Sequence, residues 1–89
     1  MIGYTVYIIY SSKYNLYYIG HTNNLDDRLK RHNQNRNKFT KGKGPWELII
    51  AFTCSTKSGA YQLELKLKAL KNSKLAIEYL NNLVHSTPI

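Results

Sequence analysis

The stretch that decides the fold runs from Tyr18 to Asn33 and reads YIGHTNNLDDRLKRHN. An apolar, aromatic strand ends at Gly20, a polar turn follows, and a basic helix begins within a few residues. Because Gly20 has no Cβ, the backbone can leave the strand there without steric hindrance. We predict that Asn23 caps the helix and that Asp26 occupies the reciprocal position of a capping box.

Three side chains of this stretch indicate a candidate site. Arg28 and His32 are four residues apart, so they share one face of the predicted helix. Tyr18 lies near the end of the preceding strand. A tyrosine, an arginine and a histidine can therefore meet above one edge of a sheet. The alternative is that Arg28 and His32 belong to a solvated basic surface.

The rest of the chain completes a small domain. We predict strands and helices at residues 4–10, 16–20, 24–35, 46–54, 59–71 and from 73 onwards. The fourth of these, a strand from Trp46 to Cys54, is apolar without alternation, which predicts a central strand buried on both faces. The order β-β-α-β-α-α predicts an α/β fold of the α+β kind, a three-stranded sheet flanked by helices. We expect one domain over residues 1–84 and a frayed tail over 85–89.

Charge is the strongest global signal in the composition. The 89 residues carry 13 Lys and Arg against five Asp and Glu, which gives a net charge of +8. The excess is concentrated between Arg28 and Lys43, where no acidic residue occurs. Such a cluster is typical of polyanion binding, because each neutralised phosphate releases counterions. We expect DNA as the partner, with RNA not excluded, and the candidate contacts are Lys30, Arg31, Arg36, Lys38, Thr40, Lys41 and Lys43.

Two alternatives stay open for this basic region. Its charges also suit a solvated surface that keeps the protein in solution. The loop from residue 33 to residue 45, which contains glycines, is either a phosphate clamp or a disordered connector.

Several classes of protein are excluded by what the sequence lacks. No apolar run approaches the roughly 18 residues that span a bilayer, and no signal-peptide pattern occurs at the start. The single cysteine, Cys54, rules out an internal disulfide. We therefore expect no membrane partner and an intracellular location.

The motifs in these positions resemble the GIY-YIG endonuclease superfamily over essentially the whole chain. Its first motif falls on Thr5-Val6-Tyr7, where only the tyrosine is kept, and its second is verbatim as Tyr18-Ile19-Gly20. The resemblance places the family's arginine on Arg28, its histidine on His32 and its metal-binding glutamate on Glu64. Within the superfamily, the chain is similar to the small stand-alone bacterial and viral proteins.

The resemblance implies a metal-dependent endonuclease that hydrolyses phosphodiester bonds in DNA. Glu64 would hold Mg²⁺ or Mn²⁺, and one carboxylate suffices when phosphate and water supply the remaining ligands. Tyr7 is the family's candidate for taking a proton from the attacking water, although His32 could also be the base. Arg28 would stabilise the phosphoryl oxygens, and Tyr18 would position them. Since a free tyrosine has a pKa near 10, we expect cationic surroundings to lower the pKa of Tyr7.

Each of these residues also has a plain structural interpretation. Tyr7 and Tyr18, if they lie opposite each other in a hairpin, are a common cross-strand packing pair. Glu64 can simply pair with Lys68 at the i,i+4 spacing. His21 is interpreted as a turn residue.

The function likewise has rivals in other classes. The first is a non-catalytic nucleic-acid-binding module on the same fold. The second is a regulatory subunit of a repair or nuclease assembly. For a nuclease of this size, we expect specificity to come from DNA structure or from a protein partner.

Overall fold

The computed structural model describes residues 3–85 of the chain. Within this range it has strands β1 (Tyr4–Ser11), β2 (Leu16–Thr22) and β3 (Glu47–Cys54), and helices α1 (Leu25–Asn33), α2 (Lys57–Ala69) and α3 (Ser73–His85). The predicted element order and the sheet flanked by helices are confirmed.

The strand order corrects one prediction. The sheet runs β2-β1-β3 with both pairings antiparallel, so β1 is central and β3 lies at an edge. A bulge shifts the register of β3 against β1 between Ile8 and Ile9 of β1. Ile8 pairs with Ile50 and Ile9 with Leu48, which leaves one extra residue between them. The predicted central position of β3 is therefore wrong, although its side chains do pack on both faces: Ile50 and Phe52 contact one core and Ala51 contacts the other.

The two faces of β1 enter two separate small cores. One face packs against α2 and α3, and we call it the α2/α3 face. Its buried residues are Val6, Ile8, Ala60, Leu67, Ala76 and Leu80. The opposite face packs against α1 and the long loop, and we call it the α1 face. Its core consists of Tyr7, Ile9 and Trp46, with Leu25, Leu29, Tyr18 and Ala51 packed around them. Because β1 lies between these layers, its central residues are completely buried.

Helix α1 begins one residue later than the capping pattern suggests. Asn24, not Asn23, is the N-cap, and its side chain accepts a hydrogen bond from the backbone N–H of Asp27 at 3.1 Å. The shift arises because β2 continues through Thr22, whose hydroxyl accepts the N–H of Asn24 at 3.1 Å. Asp26 and Asp27 in the first turn still suit the positive end of the helix dipole.

The loop between α1 and β3 is folded through hydrogen bonds. The Asn33 side chain accepts from the backbone N–H of Trp46 at 2.6 Å and donates to its carbonyl at 3.2 Å. Asn35 accepts from the N–H of Gly42 at 2.8 Å. These contacts favour a folded loop over a disordered connector.

The last part of the chain and the helix lengths concern the predicted tail and the expected lack of a membrane partner. His85 is the last residue of α3, while the remainder of the predicted tail, 86–89, lies outside the described residues. No helix within residues 3–85 has the length and apolar character needed to cross a membrane.

Candidate active site

The residues singled out by the sequence motifs lie on four elements that meet near β2. Tyr7 comes from β1, Tyr18 from β2, Arg28 and His32 from α1, and Glu64 from α2. The ring centroids of Tyr7 and Tyr18 are 6.4 Å apart, and the imidazole of His32 lies 5.8 Å and 5.1 Å from them. Four residues therefore share the α1 face, and Glu64 comes from the helix that packs on the other face.

The strand register gives Gly20 a different role from the predicted one. Tyr7 pairs with Gly20, and Tyr18 pairs with Ile9, so the two tyrosines share a face but are diagonal rather than opposite. A Cβ at Gly20 would lie 2.7 Å from the Tyr7 hydroxyl and 3.1 Å from the ring of Tyr18. The prediction that Gly20 releases the chain from the strand is wrong, since β2 continues to Thr22. Gly20 makes room for the Tyr7 hydroxyl instead.

A buried series of hydrogen bonds runs through three side chains, and we call it the neutral chain. Tyr7 Oη lies 2.9 Å from His32 Nε2, and His32 Nδ1 lies 2.7 Å from Thr40 Oγ1. All three residues are 1% exposed or less. Thr40, predicted to contact phosphate, instead lies inside the molecule and bonds to His32.

The environment of the neutral chain shifts the pKa values of Tyr7 and His32, in each case so that the charged form is disfavoured. Burial, with a smaller contribution from Tyr18, raises the pKa of the Tyr7 hydroxyl, and the nearby Arg28 only partly opposes this. Burial and then the charge of Arg28 lower the pKa of His32 to about 4. The expectation that cationic surroundings lower the Tyr7 pKa is wrong, because desolvation outweighs the arginine. Both groups are uncharged at neutral pH.

Glu64 is the centre of a second group of side chains, which we call the ionic cluster. One of its carboxylate oxygens lies 2.6 Å from His21 Nδ1, and the other lies 2.6 Å from Lys68 Nζ. The Lys68 ammonium is also 5.9 Å from the centroid of the Tyr18 ring. The i,i+4 pair considered as an alternative for Glu64 is therefore present, within a larger set of contacts at the candidate site.

His21 is the neighbour of Glu64 that the sequence interpretation missed. It lies within β2, paired with Val6, rather than in a turn. Side chains alternate along a strand, so His21 shares the α2/α3 face with Ile19 and meets α2. Extending the predicted strand by two residues would have shown that His21 lies on this face.

The donor chemistry at Glu64 is compatible with a hard divalent cation. Within residues 3–85 no group of three or more His, Cys, Asp or Glu side chains is arranged to hold a metal ion. Mg²⁺ nevertheless binds through one or two carboxylates, with water and substrate phosphate as further ligands. Each Glu64 oxygen already has one partner, His21 Nδ1 or Lys68 Nζ, so a cation would share the carboxylate with them.

Most of the predicted nucleic-acid contacts are at the surface. The exposed members are Lys30, Arg31, Arg36, Lys38, Lys41 and Lys43. Arg31 also pairs with Asp27 at 3.1 Å, one helical turn away. A cavity of about 350 Å³ opens beside Arg28, with His21 and Lys57 in its wall. Arg28 can therefore be reached from solvent by an anionic group.

This arrangement defines a class of protein. The model of the family described as "GIY-YIG catalytic domain" matches residues 3–76. The chain therefore belongs to the GIY-YIG family of endonucleases.

Particular relatives are small proteins of similar length. The UPF0213 protein YazA of Bacillus subtilis is 40% identical over 79 residues, covering 85% of this chain and 80% of the relative. The UPF0213 protein OB0043 of Oceanobacillus iheyensis is 39% identical over 66 residues, covering 73% and 76%. The solution NMR structure of the UPF0213 protein BH0048 from Bacillus halodurans superposes with a TM-score of 0.54 at 30% identity, covering 92% of this chain and 85% of that one. These names state no activity.

Proposed function

We propose that the protein is a metal-dependent endonuclease that hydrolyses phosphodiester bonds in DNA. The observation that carries the proposal is the meeting of the neutral chain and the ionic cluster beside Arg28. Together they offer a proton acceptor, an anion-binding guanidinium and a carboxylate for a cation. A module that only binds nucleic acid needs no carboxylate next to its phosphate-binding arginine.

Arg28 binds the scissile phosphate in this mechanism. Its planar guanidinium can donate two parallel hydrogen bonds to phosphoryl oxygens and stabilises the charge that grows on them. The exposed basic residues of α1 and the loop hold the flanking DNA backbone through its phosphates. The Tyr18 ring, close to His32 and Lys68, limits where the phosphate can lie.

The neutral chain removes the proton of the attacking water. Phenolate is scarce at neutral pH because burial raises the pKa of Tyr7. The Tyr7 oxygen therefore accepts a proton from water while its own proton passes to His32 Nε2, 2.9 Å away. This transfer requires the tautomer in which His32 Nδ1–H donates to Thr40 Oγ1. The Thr40 hydroxyl can accept this hydrogen bond and so provides a partner for Nδ1–H in the required form.

Substrate binding itself makes His32 a better acceptor. The charge of Arg28 is one of the two causes that lower the His32 pKa. A bound phosphate compensates that charge, so the pKa of His32 rises once the substrate is in place. Burial alone then opposes protonation.

Glu64 is the residue that would hold Mg²⁺ or Mn²⁺. The ion would supply Lewis-acid stabilisation of negative charge on the phosphate and on the leaving oxygen. His21 and Lys68 keep the Glu64 carboxylate oriented by hydrogen bonds to its two oxygens.

Cleavage assays test this proposal directly. Branched, single-stranded and double-stranded DNA would be incubated with the protein in Mg²⁺ or Mn²⁺, with chelator controls. We expect cleavage of at least one substrate that disappears with chelator. Binding without cleavage under all conditions would favour the non-catalytic module, and stimulation of a separate nuclease would favour the regulatory subunit.

A further inference from the structure

A second cavity, of about 300 Å³, lies next to the candidate active site on the outer side of β2. Tyr18 and Lys68 line it and also belong to the active-site region. Lys68 Nζ lies 2.6 Å from Glu64, so the cavity begins where the ionic cluster ends. A polymer whose phosphate lies at Arg28 and Glu64 can therefore extend into it.

The lining of this cavity combines apolar and cationic surfaces. The apolar part comes from Tyr17, Ile19 and Leu67, and the cationic part from Lys68 and Lys71. A flat, uncharged ring joined to an anion matches such a lining, and a nucleotide has this composition. Aromatic side chains beside a basic groove are the usual platform for unpaired bases.

The Tyr17 ring is suited to stack on a base. It is 40% exposed, and its ring centroid lies 4.5 Å from that of Tyr10, which supports it from β1. An exposed aromatic ring held by a neighbour loses little freedom when a base stacks on it.

Lys71 has a backbone conformation that is uncommon for a residue with a Cβ. Lys71 follows the last turn of α2 with a φ of 51°, in the left-handed region. Glycine is favoured at this position after a helix because a Cβ is strained there. The chain has a lysine instead, and this places a positive charge at the cavity.

We propose that this cavity binds one unpaired nucleotide of DNA next to the scissile phosphate. The base packs against Tyr17, and its phosphate pairs with Lys71. The inference rests on the proposed function and names its substrate class, which is DNA with an unpaired nucleotide at the cut site rather than a plain duplex. A base within a duplex is stacked and paired, so it enters such a cavity only at a cost in free energy.

A binding experiment in chelator tests the cavity without requiring catalysis. Two duplexes would be compared, one with a single unpaired 2-aminopurine and one with the same base paired. We expect the wild-type protein to bind the unpaired form about 5–100-fold more tightly and to change the 2-aminopurine fluorescence, as expected for stacking on one aromatic ring. Tyr17→Ala and Lys71→Gln should each reduce this preference, whereas Tyr17→Phe should keep it.

Matched controls come from the same surface elements. Tyr14 is another exposed tyrosine of the β1–β2 hairpin, and Lys74 is an exposed lysine of α3. Neither lines the cavity. Tyr14→Ala and Lys74→Gln should therefore keep the preference for the unpaired nucleotide.

The outcomes separate this inference from the proposed function. Equal binding of the two duplexes, or a preference that survives both Tyr17→Ala and Lys71→Gln, would overturn the cavity assignment and leave the nuclease proposal standing. Failure of the wild-type protein to bind either duplex would count against both. If Tyr17→Ala unfolds because Tyr10 loses its neighbour, the exposed Lys71→Gln variant decides.

Discussion

The neutral chain and the ionic cluster use hydrogen bonds of similar length for opposite purposes. The neutral chain of Tyr7, His32 and Thr40 is fully buried and uncharged at neutral pH. In the ionic cluster, the side chain of Glu64 is 14% exposed and that of Lys68 is 48% exposed. Burying a charge is costly, whereas a charge at the surface keeps its hydration. The candidate site therefore keeps its uncharged hydrogen bonds inside the protein and its charged groups nearer to solvent.

These two groups approach the site beside Arg28 from opposite faces of the sheet. The neutral chain lies on the α1 face, whereas the anchors of the ionic cluster lie on β2 and α2 at the other face. The charge of Glu64 raises the pKa of Tyr7, but it is the smallest of the causes. Each half can thus be changed with limited effect on the other, and this separation is open to experiment.

We expect the largest effect from Glu64→Gln. Loss of the carboxylate charge should reduce cleavage by about 10³-fold or more, because cation binding supplies several kcal/mol of transition-state stabilisation. Stability should change by about 1 kcal/mol or less, since the partners of Glu64 stay hydrated. Cleavage rates and thermal melts with and without Mn²⁺ measure both effects. Glu78→Gln, at an exposed position of α3, is the control, and parental activity in Glu64→Gln would remove Glu64 from the metal site.

Tyr7→Phe should affect activity and stability together. Loss of the proton-accepting hydroxyl should slow cleavage by ~10²–10⁴-fold. His32 Nε2 then lacks its buried partner, which should cost about 1–3 kcal/mol of stability. The control is Tyr10→Phe, which removes a hydroxyl bonded to Asn15 at 3.0 Å near the surface. If the Phe variant cleaves at the parental rate, Tyr7 has only a packing role.

Thr40→Val tests whether the far end of the neutral chain matters. The substitution preserves the shape of the side chain but leaves His32 Nδ1 unpaired in the interior, which should cost about 1–3 kcal/mol. Activity should fall through a changed tautomer of His32, which nitrogen NMR of the imidazole detects. Thr53→Val is the matched control, because Thr53 bonds to Thr5 at 3.0 Å on an exposed part of the sheet. Equal stability losses in the two variants would contradict the special position of Thr40.

The pH dependence of stability should report the burial of His32. Its pKa is about 4 in the folded protein and near 6.5 in an unfolded chain. The unfolded state therefore binds a proton first as the pH falls. The stabilisation is fully present above about pH 6.5 and is lost towards pH 4, by at most about 1.4 kcal/mol per pH unit. Denaturation from pH 7 to 4.5 and an imidazole NMR titration measure this, and a His32 titration near pH 6.5 would refute it.

His21→Ala should give the smallest effect. Glu64 keeps its contact with Lys68, and partly exposed ion pairs contribute about 1 kcal/mol or less. The loss should shrink further in 1 M salt, where such pairs are screened. Denaturation at low and high salt provides the measurement. A loss as large as that of Thr40→Val would mean that the two halves of the site do not differ in the way described.

The sequence predicts local features of this fold well. The element order, the helix near Arg28 and the exposed basic residues follow from periodicity and composition, because each depends on neighbours within a few positions. The strand order does not follow, since β3 is an edge strand whose side chains still pack on both faces of the sheet, so its apolar run resembles that of a central strand. The helix cap was displaced by one residue because Thr22 extends β2.

The candidate site shows the same division. The resemblance to the family's motifs is what places Tyr7, Tyr18 and Arg28 at the candidate site. The contact between His32 and Thr40 cannot, because it depends on how the loop folds back over α1. The direction of the Tyr7 pKa shift cannot be predicted from the sequence either. Burial raises this pKa and the charge of Arg28 lowers it, and only the structure shows that burial is the larger effect.

The central position of β1 bears on the order in which the chain folds. β1 pairs with β2 across a short turn, so that Ser11 meets Leu16, whereas its pairing with β3 joins residues as distant as Tyr4 and Cys54. Closing a short loop costs less conformational entropy than closing a long one, so local pairings form earlier. We expect the hairpin to form first, with the approach of β3 and α2 as the slower step. Glu64 would then join the other site residues only in the last stage of folding.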